Sequence, residues 1–133
     1  MADDLRKYLQ EIKKTNDLIV IKKKVSTKYE IASITEKLDG SKAVLFENIK
    51  GSKFKLVSNL VGNRSRFMQA IGSKKSDINQ KILRAISSAK KPKISTNAKF
   101  FENSSKNISI LPTVTHFQNE SGPFITSSIL YTQ

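Results

Sequence analysis

The chain has 133 residues, 38% hydrophobic and 26% charged, with a formal net charge of +13. This length and composition support one folded core and exclude a disordered polymer. The absence of cysteine excludes a disulfide framework, a thiolate zinc site and a cysteine nucleophile. The opening MADDLRKYLQ has no hydrophobic run behind it, and no stretch approaches the roughly 20 apolar residues of a membrane span. A cytoplasmic protein without membrane contact is expected.

The positive charge comes mostly from lysine, with arginine only at Arg6, Arg64, Arg66 and Arg84. Arginine is the residue suited to bidentate phosphate contacts. The lysines are spread along the chain in short clusters such as Lys22-Lys23-Lys24 and Lys90-Lys91. A solvated lysine-rich surface is therefore preferred to nucleic-acid binding, which stays as the alternative.

Residues 4–15 have helical spacing, with Leu5, Tyr8, Leu9 and Ile12 on one stripe and Asp3 or Asp4 as the N-cap. Leu18-Ile19-Val20-Ile21 is a β-branched strand run. A second helix is expected over about 28–38, capped by Ser26 or Thr27 and stopped by Gly40. Ala43–Phe46 and Phe54–Val57 read as a hairpin, with Gly51 supplying a positive φ in the turn. Asn59–Asn63 leads into a helix with Phe67, Met68 and Ile71, ended by Gly72. Ser76-Asp77 opens another, whose apolar face is Ile78, Ile82, Leu83 and Ile86.

Residues 87–109 are rich in Lys, Ser and Asn and read as a long connection, anchored by Phe100 and Phe101, with a domain boundary near 107. Ile108–Pro112 is expected to be extended and Val114–Phe117 β-prone. A turn over 119–123 comes next, and then a strand-like run from Phe124 to Thr132. A two-strand ribbon is marginal in water, so the last sheet is expected to be incomplete within this chain.

Chemistry-bearing residues are sparse. No glycine-rich phosphate loop occurs. His116 is the only histidine, too few for a multi-histidine metal site. As a general base it would need Glu120 beside it, and the plainer reading is a strand-end histidine satisfied by backbone or water. Thr126, Ser127 and Ser128 are three successive hydroxyls, able to donate to a ligand or to face solvent alternately.

Three stretches together resemble the UbiD family of decarboxylases. The first joins Asp4–Leu9, Asp17–Ile21 and Tyr29–Ala32. The second and most specific runs Ala43–Gly51 and on through Val57–Arg64, similar to the family's LFENVKG and VxxNLxGxR segments. The third joins Leu111–Phe117 to Gly122–Ser127, similar to LPxLxHF and GGPYIT. Order and approximate spacing agree along nearly the whole chain.

The resemblance implies an α+β fold: a small N-terminal α/β domain over 1–107, with a short mixed sheet and flanking helices. The opening strands of a flavin-reductase-like split β-barrel would occupy 108–133 and stay incomplete in this chain. It implies a carboxy-lyase family acting on aromatic or α,β-unsaturated acids with prenylated FMN, a divalent metal and potassium. The family's metal-binding and catalytic sets lie beyond the matching segments, so no catalytic or metal residue is assigned here. Thr126 and Ser127, on the matching barrel strand, are the only candidate flavin contacts. The expected role is supporting rather than catalytic, without cofactor on its own. The expected partner is the rest of a decarboxylase chain, a second subunit or a homo-oligomer.

Overall fold

The computed structural model describes residues 4–91, 94, 96, 102, 104–120 and 122. Helix α1 spans Leu5–Lys14, strand β1 Leu18–Ile21, helix α2 Glu30–Lys37, strand β2 Ala43–Phe46 and strand β3 Leu56–Ser58. Helices α3 (Arg64–Ala70) and α4 (Ile78–Ser87) and a 3-10 turn at Ile108–Ile110 complete the elements.

The strands form one mixed sheet in the order β1-β2-β3. β1 and β2 are parallel, joined through α2, and β2 and β3 form an antiparallel hairpin. The mixed sheet with flanking helices agrees with the α+β expectation. β1 and β2 coincide with the two apolar runs read as strands, and the central β2 contributes residues to both core clusters.

Alternation along β2 divides the core into two layers. Val44 and Phe46 face one side and pack with Val25, Ile31, Ile49 and Val114. Ala43 faces the other and packs with Tyr8, Ile12 and Leu18. Phe46, Val44 and Ile12 are fully buried, each such side chain contributing roughly 1.5–3 kcal/mol of transfer free energy.

Asp4 caps α1, its carboxylate accepting the Lys7 N–H at 2.8 Å. Gly40, Gly51 and Gly72 all take positive φ. The α2 cap differs from expectation: the N-cap is Tyr29, at φ 67°, not Ser26 or Thr27. A long-range contact overrides the local one. Thr115 N–H donates to Thr27 O and Tyr29 N–H to Thr115 O, both at 3.0 Å, drawing 27–29 into a bridge that delays the helix. Glu30, the first helical residue, then accepts the Ser26 N–H at 2.8 Å.

Ile108–Ile110 is a 3-10 turn rather than an extended lead-in, since the Asn107 side chain accepts the Ser109 N–H at 2.9 Å. β3 begins at Leu56, two residues later than expected. The α4 stripe is apolar as read, yet only Ile78 is buried, with Leu83 65% and Ile86 72% exposed. Phe100 and Phe101 lie outside the described residues.

Candidate functional site

The segment after β3 forms a clamp built on Asn59, Asn63 and Arg66. Asn59 sits at φ 53°, and its amide nitrogen donates to Leu38 O at 2.8 Å and Lys42 O at 2.9 Å. Gly62 is required by close approach: a Cβ there would fall 1.5 Å from Asn59 Oδ1. Asn63 caps α3 by accepting the Arg66 N–H at 2.9 Å.

Arg66 is 1% exposed, the feature that sequence reasoning missed. Its three guanidinium nitrogens donate to Leu60 O, Ser41 O and Asn59 O. Its own carbonyl accepts the Tyr8 hydroxyl at 2.8 Å. A buried cation is tolerated only when its donors are satisfied. The clamp therefore ties the α2–β2 loop, the β3–α3 turn and α1 into one unit. The signal in the sequence is Asn59-x-x-Gly62-Asn63-x-x-Arg66: two short amides, a glycine and a forked cation in one turn-to-helix junction.

On the opposite layer, a groove of about 440 Å3 runs between β3 and the returning arm 111–116. Its walls are mostly apolar, including Phe54, Leu56, Leu111 and Val114. Thr35 and Ser58 supply its hydroxyls, 2.8 Å apart. Thr35 already donates to Ile31 O at 2.8 Å, so Ser58 is the donor of the pair. Lys55, on the wall, bonds Glu47 at 2.6 Å, and this hydrogen bond holds the Glu47 carboxyl below its usual range.

His116 reaches the same groove. Its Nδ1 lies 3.6 Å from Glu120 Oε2, too long for a hydrogen bond. The other Glu120 oxygen accepts the His116 backbone N–H at 2.8 Å. Glu120 therefore closes the 116–120 turn and does not orient the imidazole as a general base would need.

Among the described residues no group of three His, Cys, Asp or Glu side chains could hold a metal ion. Nor do these residues fit a flavin nucleotide. The buried guanidinium is spent on carbonyls, and the groove hydroxyls are spent on each other and on Ile31 O. Thr126 and Ser127 lie outside the described residues. No described helix is long and apolar enough to cross a membrane.

The fold and clamp define an α+β unit with a three-stranded mixed sheet and flanking helices. Residues 9–86 match the family model described as the 3-octaprenyl-4-hydroxybenzoate carboxy-lyase N-terminal domain, and the chain belongs to the UbiD family, as its N-terminal portion. It is similar to the UbiD-class enzyme HmfF from Pelotomaculum thermopropionicum in complex with FMN, with 26% identity and a TM-score of 0.82. That match covers 90% of this chain and 28% of HmfF. It is also similar to the vanillic acid decarboxylase of Sedimentibacter hydroxybenzoicus in its open form, with 25% identity and a TM-score of 0.63 over 88% of this chain and 28% of that one. No curated protein matches it in sequence. The chain thus spans little more than a quarter of the length of these structural relatives.

Proposed function

We propose that this chain serves as the N-terminal supporting unit of a decarboxylase acting on aromatic or α,β-unsaturated carboxylic acids. The observation that carries the reading is the match of 90% of this chain to 28% of HmfF at a TM-score of 0.82. The architecture supports it: the buried Arg66 guanidinium and the Glu120 carboxylate each tie backbone segments together.

In this reading residues 1–107 form the supporting domain and residues 108–133 open the split barrel. The arm at 111–116 ties the two, because Val114 packs in the first core. Prenylated FMN, a divalent metal and potassium belong to the remainder of the enzyme, and Thr126 and Ser127 are this chain's candidate flavin contacts. The remainder arrives as the same polypeptide, as a second subunit or through homo-oligomerisation.

The test is a decarboxylation assay with prenylated FMN, metal and potassium. This chain is assayed alone and then with the remaining three-quarters of a decarboxylase supplied as a separate polypeptide. Activity only in the mixture supports the reading, and turnover by residues 1–133 alone refutes it.

A further inference from the structure

Helix α4 carries its apolar residues on one stripe, and that stripe leaves the body of the protein turn by turn. Ile78 is 5% exposed, Ile82 39% and Ile86 72%, with Leu83 exposed beside them. Side chains four positions apart lie one above the other on a helix, so these are successive steps along one face. The face continues past Ile78. Val61 and Phe67 are exposed, and with Ile78 and Arg64 they line a shallow hollow of about 360 Å3. Exposed apolar side chains gathered on one face and rimmed by polar groups mark a contact surface.

The charge says what kind of partner fits. The Arg66 guanidinium is spent inside the clamp. Arg64 stands at the rim of the hollow, and Arg84 follows Leu83, about 100° further round α4. Both are exposed, and neither guanidinium has a hydrogen bond or ion pair among the described residues. Guanidinium groups beside apolar side chains suit a partner's carboxylates. A second copy suits this face poorly, because it brings the same unpaired cations together. A nucleic acid calls for aromatic rings on which bases stack, and α4 has none. A lipid surface calls for a whole amphipathic face, and the Ile78 end of this one is buried. The match to HmfF covers 90% of this chain and 28% of that one, so an enzyme of that size has nearly three-quarters of its chain to place around such a unit.

We propose that the face formed by Val61, Phe67 and the outer turns of α4 docks the remaining three-quarters of the decarboxylase, through apolar side chains rimmed by carboxylates. The inference rests on the reading of this chain as a supporting unit and names the surface through which it supports.

The experiment mixes the full chain with the separate three-quarters polypeptide of the decarboxylation assay. Calorimetry measures the affinity, and hydroxyl-radical footprinting reads side-chain oxidation at Leu83 and Ile86. Oxidation at both is expected to fall on mixing. Leu83→Gln combined with Ile86→Gln should weaken binding by roughly tenfold or more. Arg64→Glu and Arg84→Glu should each weaken it by roughly tenfold. Lys50→Glu, the same charge change in the turn between β2 and β3, should stay within about twofold. Equal affinity for the glutamine variant, or an equal loss from Lys50→Glu, overturns the proposal. So does oxidation that is unchanged on mixing or already suppressed in the isolated chain. Binding to anionic phospholipid vesicles that the glutamines abolish, or a dimer that they dissolve, overturns it as well. The two ideas fail separately. No binding by the unsubstituted chain defeats the supporting-unit reading and this inference with it, whereas binding that ignores α4 defeats the inference alone.

Discussion

The Tyr8 hydroxyl donates to the Arg66 carbonyl at 2.8 Å, joining α1 to α3 across 58 positions of sequence. Burial pushes the Tyr8 phenol above its ordinary value. The unfolded chain gives up this proton near pH 10 and the folded chain only at higher pH. The contribution is therefore intact below about pH 10 and falls as pH rises toward the folded value. Tyr8→Phe should cost about 1 kcal/mol at neutral pH and remove that part of the alkaline loss. Denaturant titrations of both proteins from pH 7 to 11 check it, and parallel pH curves would contradict it.

Arg66 donates to three backbone carbonyls, from Ser41, Asn59 and Leu60. Arg66→Ala leaves those carbonyls without the cation and opens a cavity, so a loss on the order of 3 kcal/mol is expected. Arg66→Lys should recover little, because an ammonium lacks the planar fork. Urea midpoints for the two variants measure this, and near-native stability of either one contradicts the clamp.

Gly62 is held to glycine by contact with the Asn59 side chain. Gly62→Ala should displace that amide from Leu38 O and Lys42 O and cost roughly 2 kcal/mol. Asn59→Ala should cost a similar amount. The double variant should cost little more than either single one, since both break the same bonds. Additive losses would show that Gly62 acts by another route.

How much of this was legible in the sequence depended on whether a residue's partner is local. β1 and β2 announce themselves as short apolar runs, and Asp4, Asn63, Gly51 and Gly72 act through their own turns. The α2 cap was misread because Thr115 captures residues 27–29 from 86 or more positions away. The burial of Arg66 leaves no local mark, because its acceptors are carbonyls, which every residue carries and no composition reveals. The groove joins β3 to an arm more than 50 residues later, so no local pattern could disclose it.

The helical stripe of α4 shows where periodicity stops being informative. It marks a face but not what covers it, and here Leu83 and Ile86 are exposed while Ile78 is buried. Ile78→Ala should therefore cost about 2 kcal/mol. Leu83→Gln and Ile86→Gln should leave the melting temperature of the isolated chain unchanged. Thermal unfolding of the three variants decides it, and a large loss from either glutamine would mean that the face is covered in this chain.

The claim on which the rest stands is that these residues build a support and not a flavin pocket. Titration of FMN and prenylated FMN into the isolated chain, monitored by flavin fluorescence, tests it most directly. A linear, unsaturated response at all concentrations up to the millimolar range is predicted, and saturable quenching with one flavin per chain would contradict it.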